Sequence, residues 1–476
     1  MIYVLIILLL LIIVILYNAL KFKPIQETLT KDDKIKFDER LAIEHLQKMI
    51  QIPTISNQDF NLVDKEQFVR FQQLLTELYP NIHQICHKER IHNTGILYHW
   101  KGKSDAAPTV LMAHYDVVPV GDLAKWQHDP FSAEIIDNIL WGRGTLDTKI
   151  TLLGVMEGVE TLIKSGYVPE NDIYMSFSGD EEVAGEGAPS IVDYLAKNNI
   201  KPALVVDEGG AIVKDIFPTV TKEIAVIGIG EKGMIDVMFT ANSKGGHAST
   251  PPKHTALGEL AIAINKCENK PFRSNFSLPI LGLLDCVGRY ASFPFRIILS
   301  NLWLFKGLLL HVFNKMGGEL GAMIHTTQAF TMAEASQQSN VLPSQAKAVA
   351  NYRLVNTDSV DGVIKHLQET IANDNIEVKM LHGMNASPYT DINSPEYTRV
   401  ANAIKQVWSE VIVSPYLMIA CSDSRHFCKI SDHVCRFSAM RLSKEQRGLI
   451  HNYNERIELP MIAECVDFYL HLIKAS

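Results

Sequence analysis

The segment Thr109-Val110-Leu111-Met112-Ala113-His114-Tyr115-Asp116 joins an apolar run to two side chains that can bind metal ions. Residues 109–113 have the composition of a buried strand, and His114 and Asp116 follow at its end. Side chains two residues apart in extended backbone point to the same side. Imidazole nitrogen and carboxylate oxygen are also common protein ligands of divalent cations. The segment therefore predicts a strand that ends at a metal site.

Two further apolar runs end in acidic residues. Residues 173–177 precede the pair Glu181-Glu182, and residues 203–206 precede Asp207. Two helical patterns separate the three predicted strands: residues 149–164 and residues 188–198. In open parallel sheets the ligand crevice lies beyond the carboxyl ends of the strands. We therefore expect the three strands to deliver metal ligands to one edge of an α/β sheet.

Length and composition are those of a globular enzyme. The chain has 476 residues, enough for two or three domains, and 47% of them are hydrophobic and 21% charged. A net charge of -8 and the lack of a basic stripe argue against a nucleic-acid-binding protein. The seven cysteines include no CxxC pair, so we interpret them as small buried hydrophobic residues and not as a disulfide framework or zinc knuckle.

The N-terminus is predicted to be a membrane anchor. Residues 1–20 carry no charge, and a helix of about 1.5 Å per residue would span the roughly 30 Å hydrocarbon core of a bilayer. A cleaved signal peptide is the alternative, but the run lacks a basic start and a small-residue cleavage site. Lys21 and Lys23 follow the run and favour a cytoplasmic catalytic domain by the positive-inside rule.

The character of the chain changes after Gly230. Strand patterns and helical patterns then alternate as in an inserted α+β unit, and residues 243–252 form a glycine-rich loop before its first helix. The patterns after residue 395 return to the first unit, as His451 must do if it is a ligand. The predicted divisions are an anchor at 1–20, a tether at 21–37, a catalytic domain at 38–230 and 385–476, and an inserted lid or dimerisation domain at 231–384.

Five motifs in order resemble one enzyme family. Residues 112–119 resemble the H-x-D signature of the co-catalytic zinc aminoacylase and carboxypeptidase family, which includes glutamate carboxypeptidase, carnosine dipeptidase and yeast carboxypeptidase S. The other matching motifs are residues 142–149, 179–182, 245–248 and 450–455. Two further segments, residues 300–305 and 422–426, look most like the branch of carboxypeptidase S and the N-fatty-acyl-amino-acid amidohydrolases. Thr148 and Asn452 depart from the family pattern, where an acid and a glycine are common.

The resemblance implies the fold and the metal site. The expected fold is α/β, with a zinc-peptidase-like catalytic domain built on a mixed, mainly parallel sheet and an inserted ferredoxin-like α+β lid through which a homodimer could form. Asp147 would bridge two Zn²⁺ ions, with Co or Mn as alternatives. The implied metal ligands are His114, Asp147, Glu182, Asp207 and His451.

The resemblance also implies catalytic and substrate-binding residues. Glu181 would be the general base that takes a proton from water, and Asp116 would fix the tautomer of His114. His247 would stabilise the tetrahedral oxyanion, in some relatives from the partner subunit. Arg353 would bind the substrate carboxylate through its bidentate fork, with Asn340 in the same pocket. Taken alone, each of these residues would be interpreted as a helix cap, turn or surface residue.

The predicted function is hydrolysis of an amide bond next to a free carboxylate. An N-acyl amino acid and the C-terminal residue of a small peptide are both open as substrates, and a membrane-tethered binding protein with an inactive metal site is the alternative. The apolar residues 278–313 could line an acyl site, touch the membrane or pack in the inserted domain's core. The side of the membrane is also open, because similar enzymes work in vacuolar or extracellular space.

Overall fold

The computed structural model describes residues 1–25 and 35–475. Residues 26–34 of the predicted tether lie outside the described residues. The strands, in chain order, are β1 (His87–Ile91), β2 (Gly95–Trp100), β3 (Thr109–His114), β4 (Ile135–Ile136), β5 (Ile139–Trp141), β6 (Ile173–Ser178), β7 (Leu204–Val213), β8 (Ile224–Glu231), β9 (Gly233–Asn242), β10 (Gly246–His247), β11 (Thr327–Glu334), β12 (Val341–Leu342), β13 (Gln345–Leu354), β14 (Ile376–Met384), β15 (Ile412–Met418), β16 (Val434–Leu442) and β17 (Arg456–Glu458).

The α-helices begin near the N-terminus and are distributed along the chain, in places several in succession. In chain order they are α1 (Ile2–Lys21), α2 (Glu39–Ile50), α3 (Lys65–Leu78), α4 (Pro80–Ile85), α5 (Lys149–Lys164), α6 (Gly187–Lys197), α7 (Ala256–Glu268), α8 (Leu278–Gly288), α9 (Phe293–Leu299), α10 (Leu302–Met316), α11 (Gly318–Ile324), α12 (Val360–Ile371), α13 (Pro395–Val407), α14 (Ser424–Phe427), α15 (Lys444–Arg447) and α16 (Leu459–Lys474).

An eight-stranded mixed sheet forms the larger unit, in the order β1-β2-β6-β3-β7-β16-β8-β15. Its central strands β6, β3, β7 and β16 run parallel, whereas β2 and β8 join them antiparallel. Every residue of β3 and β6 is buried, as expected for strands covered on both faces. The predicted α/β fold with a mixed, mainly parallel sheet is confirmed.

Helices cover both faces of this sheet. Leu111 of β3 belongs to the core under α2, α5, α13 and α16, while Val110 and Met112 belong to the core under α6 and α14. Helix α5 packs closely on α16 at Gly154. A Cβ atom added to this glycine would lie 2.7 Å from Cys465 Sγ, closer than side-chain atoms normally approach. Helix α5 also contacts β3, and it begins at Lys149, two residues after Asp147.

The smaller unit is a four-stranded antiparallel sheet in the order β11-β13-β9-β14. Helices α7 and α12 pack on one face, around a core that includes Phe239, Tyr352 and Leu367. Its connectivity, strand-helix-strand-strand-helix-strand, is that of a ferredoxin-like fold, as the sequence predicts. We propose the same division as before, with the inserted domain at 231–384, because β9 begins at Gly233 and β14 ends at Met384.

Helices α8 to α11 interrupt this inserted unit and pack elsewhere. Helix α8 lies against β15, the edge strand of the large sheet, and Leu283 and Val287 are buried in the core of the catalytic unit. The inner face of residues 278–313 therefore packs against the catalytic unit. The alternative from the sequence in which these residues form part of the core of the inserted domain is wrong. The helices α9 and α10 are bent by 105° relative to one another.

Candidate active site

His114, Asp147 and Glu208 form one group of candidate metal ligands. His114 is the last residue of β3, and its Nε2 lies 3.0 Å from Asp147 Oδ1 and 3.2 Å from Glu208 Oε1. The parallel pairing of β3 with β7 brings these segments to the same edge of the sheet. Two carboxylate oxygens and one imidazole nitrogen thus converge on a small volume that is shielded from solvent.

Asp147, Glu182 and His451 form a second group. His451 Nε2 lies 2.9 Å from Glu182 Oε2 and 3.1 Å from Asp147 Oδ2. His451 adopts a φ of 60°, a left-handed conformation that costs a residue other than glycine about 1–2 kcal/mol. Asp147 belongs to both groups and turns one oxygen towards each, which is the arrangement that a bridging ligand needs.

Asp116 links the first group to the loop that carries Glu181 and Glu182. Its two carboxylate oxygens accept the backbone N–H groups of Glu181 and Glu182, each at 3.2 Å. Its Oδ1 also lies 3.3 Å from His114 Nδ1, and its backbone carbonyl oxygen lies 3.1 Å from the same nitrogen. Asp116 is fully buried, so it can fix both the imidazole ring and the loop.

Asp207 lies apart from the position that the sequence interpretation gave it. Strand β7 extends past the predicted end to Val213, so Asp207 and Glu208 are consecutive residues of a strand and point to opposite faces. Glu208 faces His114, while Asp207 Oδ2 accepts the backbone N–H of Ser424 at 3.0 Å. Asp207 and Glu208 are adjacent in the sequence. Which of them is the candidate metal ligand depends on where the strand ends.

Glu455 is a buried carboxylate to which the sequence analysis gave no role. It accepts the backbone N–H groups of Gly144, Leu146 and Asp147 at 3.1, 2.7 and 3.2 Å, and pairs with Arg143 Nη1 at 2.7 Å. These bonds shape the turn that presents Asp147. Glu455 lies in the matched motif of residues 450–455, which was the only available signal.

The charge balance of the two groups fits divalent cations. Burial, together with the negative charges of Asp147 and Asp207, raises the pKa of Glu208 to about 7. Burial also raises the pKa of Glu182, and its Oε1 has no hydrogen-bond partner among the described residues. Histidine nitrogens and carboxylate oxygens are the usual ligands of hydrolytic zinc. The residues present can therefore hold metal ions, which would supply the missing positive charge.

Glu181 lies beside both groups without belonging to either. It begins the short helical turn Glu181–Val183 after β6. Burial raises its pKa well above the usual range; the charge of His114 opposes this rise, and the charges of Asp423 and Glu208 add to it. A carboxyl group in such a setting is suited to take up and release a proton.

His247 and Asn340 lie together in the inserted unit. Strands β10 and β12 pair there, and the backbone N–H of Ala248 donates to the carbonyl oxygen of Asn340 at 3.0 Å. The His247 side chain is exposed, and its Nδ1 lies 2.7 Å from Ser249 Oγ. Within the described part of the chain, the two residues form no hydrogen bond or ion pair with the metal-ligand groups.

Arg353 lies at the junction of the two units. Its Nη1 is 3.1 Å from Cys421 Sγ, and its Nε donates to Asn351 Oδ1 at 3.2 Å. Burial lowers the pKa of the nearby Lys232 to about 7, and the positive charge of Arg353 adds to this effect. Two basic side chains thus meet where the chain passes from β8 into β9, a suitable place for an anionic substrate group.

Comparison with known proteins identifies the family of the chain. A model described as Peptidase family M20/M25/M40 matches residues 110–475. The chain belongs to the M20 peptidase family. This M20 peptidase is 35% identical to the probable carboxypeptidase S-like 2 of Dictyostelium discoideum, over 96% of this chain and 90% of the relative. It is 32% identical to the N-fatty-acyl-amino acid synthase/hydrolase PM20D1 of Homo sapiens, over 92% and 88% of the two chains.

Solved structures share the fold of this M20 peptidase. The M20 family metallo-carboxypeptidase Sso-CP2 from Sulfolobus solfataricus superimposes with a TM-score of 0.69 at 18% identity, covering 92% of this chain and 99% of that chain. Human carnosine dipeptidase 1 superimposes with a TM-score of 0.61 at 15% identity, covering 92% and 96%. The predicted family and its carboxypeptidase S and N-fatty-acyl-amino-acid branch are confirmed, and the chain is a metal-dependent amide hydrolase.

Proposed function

We propose that this enzyme hydrolyses the amide bond of N-acyl amino acids that carry a long apolar acyl group, and that it does so at a site for two Zn²⁺ ions. The observation that carries the proposal is the position of Asp147 between His114 and His451, one carboxylate oxygen towards each. The N-fatty-acyl-amino acid relatives support the substrate class.

The proposed ligands of the first ion are His114, Asp147 and Glu208, and those of the second are Asp147, Glu182 and His451. Glu208 thus replaces Asp207 in our proposal. When bound, the two ions would act as Lewis acids that polarise the scissile carbonyl and lower the pKa of water to about 7. Asp116 would keep His114 in the tautomer that presents Nε2 to the first ion.

Glu181 would move the proton. The oxygen of water forms a bond to the carbonyl carbon while Glu181 accepts one of its protons, and Glu181 then delivers that proton to the nitrogen as the carbon–nitrogen bond breaks. The products are a fatty acid and a free amino acid. The raised pKa of Glu181 matches this exchange, because the carboxyl group must hold the proton between the two steps.

The substrate carboxylate would bind to Arg353 at the junction of the two units. A planar guanidinium can hold a carboxylate through two parallel hydrogen bonds. We propose His247 as the donor to the developing oxyanion, with Asn340 next to it. Because both residues lie on the inserted unit, they would act after movement of this unit or from the second subunit of a homodimer.

An apolar cavity supports the proposed acyl group. It has a volume of about 250 Å³, close to the lower end of small-molecule pockets at about 300 Å³. Its lining includes Leu283 and Val287 of α8 and Leu320 and Met323 of α11. Lys232 Nζ donates to the carbonyl oxygens of Ala322 and His325 at 2.8 and 2.9 Å, so α11 reaches from this cavity to the basic junction.

The N-terminal helix would anchor the enzyme. Helix α1 is long and apolar enough to cross a membrane. Only 6% of its most apolar 18-residue segment is buried against the rest of the protein. Most of α1 would lie in the bilayer, with Lys21 and Lys23 at its surface.

Metal analysis and a substrate panel on the purified enzyme test the proposal together. We expect two zinc ions per chain, and faster hydrolysis of long-chain N-acyl amino acids than of dipeptides or short-chain analogues. Glu181→Gln should keep both ions and lose hydrolysis. A zinc-loaded enzyme that cleaves no amide, while Glu181→Ala leaves ligand binding unchanged, would instead indicate the membrane-tethered binding protein.

A further inference from the structure

The C-terminal end of α1 packs on the folded enzyme. Asn18 Nδ2 donates to Asn301 Oδ1 at 2.8 Å, and Asn301 Nδ2 lies 3.2 Å from the carbonyl oxygen of Ile15. Phe22, just after α1, lies under the guanidinium of Arg289, with the ring centroid 4.9 Å from Cζ. The first helix therefore ends against the junction of α9 and α10.

Asn301 makes this contact specific. Its side chain is fully buried, and the Oδ1 atom depends on Asn18 for its hydrogen bond. A hydrogen bond inside a folded protein contributes about 0.5–1.5 kcal/mol. The two bonds of Asn301 therefore hold α1 against the folded enzyme, and cleavage after α1 would break both.

The outer face of α10 begins at this contact and is apolar. Trp303, the second residue of α10, is 62% exposed. Leu304, Leu308, Val312 and Met316 recur every four residues and are all exposed. Large apolar side chains in such a row usually mark a binding surface, because water makes their exposure unfavourable. We call Trp303, Leu304, Leu308, Val312 and Met316 the α10 face.

The stretch of sequence that carries the α10 face is rich in basic residues, although Asp285 and Glu319 flank it and Asp285 forms an ion pair with Arg289 at 2.9 Å. Between Cys286 and Gly318 the sequence contains no Asp or Glu, although the whole chain has more acidic than basic residues. The basic residues of this stretch are Arg289, Arg296, Lys306 and Lys315. Residues 1–25 also lack acids and contain Lys21 and Lys23. A basic surface with apolar side chains fits the interface of an anionic membrane.

We propose that the α10 face lies in the headgroup region of the same bilayer that α1 crosses, so that the enzyme rests on the membrane at two points. This inference relies on the proposed anchor. Helix α10 has fifteen residues and is about 22 Å long, too short for a core of about 30 Å, and the 105° bend separates it from α9. It therefore lies along the surface, and Trp303 occupies the depth at which tryptophan is enriched.

The surface contact would serve the proposed substrate. Long-chain N-acyl amino acids partition into bilayers, because each buried methylene contributes about 0.8 kcal/mol. Met316 belongs to the α10 face and also lines the apolar cavity that we propose for the acyl chain. An acyl chain could thus pass from the membrane along α10 to the cavity without crossing water.

Fluorescence quenching of the full-length enzyme in vesicles tests the contact. The vesicles contain phosphatidylserine and phosphatidylcholine, the latter with or without bromine in its acyl chains. We expect brominated lipid to reduce the tryptophan fluorescence of the native enzyme, and most of this reduction to disappear in Trp303→Phe. Equal quenching in both proteins, or none in either, overturns the inference.

Sedimentation of the same vesicles after an alkaline wash separates the two proposals. If the enzyme remains in the supernatant, the anchor is wrong and the α10 contact fails with it. If the enzyme sediments but Trp303 is not quenched, the anchor stands and the α10 contact alone fails. Shielding of Trp303 by a second copy of the chain would give this latter result.

A glutamate variant tests the role in substrate capture. Leu304→Glu/Leu308→Glu should lower the hydrolysis of vesicle-borne long-chain substrate several-fold and leave that of a short-chain soluble substrate unchanged. The matched control, Leu257→Glu/Ile262→Glu, changes exposed residues of α7. An equal effect of both variants, or an equal loss on both substrates, contradicts the inference.

Discussion

The carboxylate of Glu455 accepts the backbone N–H of Asp147 at 3.2 Å, and so ties the proposed bridging ligand to a residue 308 positions later in the chain. The same carboxylate is fully buried against Arg143. This pair holds the turn that carries Asp147 in place, whichever metal is bound.

Replacing Glu455 with alanine should therefore destabilise the enzyme. The guanidinium of Arg143 would stay buried without its partner, which costs about 3–5 kcal/mol, and the turn would lose three hydrogen bonds. We expect a lower thermal midpoint and a loss of bound zinc. Glu455→Gln, which keeps the shape and one acceptor oxygen, should be milder. An alanine variant with native stability would show that the turn carrying Asp147 does not depend on Glu455.

Glu208 and Asp207 should differ in their effect on metal content. Glu208→Gln is expected to lower the zinc content from two ions to one, because this side chain faces His114. Asp207→Asn should keep both ions, since an amide oxygen can still accept the N–H of Ser424. Elemental analysis of both variants measures the difference. The opposite pattern would restore Asp207 as the ligand.

Replacing Asp116 with asparagine should lower the activity of the enzyme more than its stability. In Asp116→Asn only one of the two side-chain atoms can accept a hydrogen bond, so either Glu181 or Glu182 loses its anchor. We expect a 10–100-fold loss of kcat, the usual range for a residue that orients a metal ligand, with a small change in KM. Steady-state kinetics of a folded, zinc-loaded variant test this. A variant with native kcat would contradict the proposed role.

Lys232 should give the enzyme a stability that rises with pH. Its pKa is about 7 in the folded enzyme and about 10.4 in an unfolded chain. Between these values the unfolded chain binds more protons, so the free energy of unfolding increases as the pH rises through this interval. The thermal midpoint in detergent solution should therefore rise from neutral towards alkaline pH. Lys232→Met should reduce this slope, and an unchanged slope would exclude Lys232 as its source.

The apolar cavity should discriminate between acyl chains. Leu320→Trp would fill much of the space, so kcat/KM should fall for long acyl chains and remain constant for short ones. Leu257→Trp, on the exposed face of α7, serves as the control. A uniform loss over all chain lengths in Leu320→Trp would place the acyl group elsewhere.

Most of the fold was accessible from the sequence because its signals are local. Residues 109–113, 173–177 and 149–164 have apolar patterns whose period sets strand or helix, and each element forms within one or two residues of the predicted bounds. The placement of α8 was not accessible. An apolar helix packs equally well on either unit, and only the tertiary structure selects β15 as its partner.

The candidate site divides in the same way. His114, Asp116, Asp147 and Glu182 are close to predicted element ends, and the structure brings them together with His451. The choice of Glu208 over Asp207 depends on a strand that continues seven residues past the predicted end, to Val213, because strand alternation decides which acid faces His114. Glu455 accepts hydrogen bonds from backbone N–H groups. Almost every residue type has such a group, so the sequence does not show which residues Glu455 binds.

The position of β16 in the large sheet has a consequence for biosynthesis. This strand lies in the middle of the sheet, between β7 and β8, yet it is among the last parts of the chain to be made. The ribosome releases β8 and the whole inserted unit long before the strand that fills the gap, and His451 comes later still. Domains fold as units during synthesis, so the large sheet can be completed only after β16 has left the ribosome. A prematurely terminated chain that ends before β16 would lack both the strand that separates β7 from β8 and His451, and so the second proposed group of metal ligands.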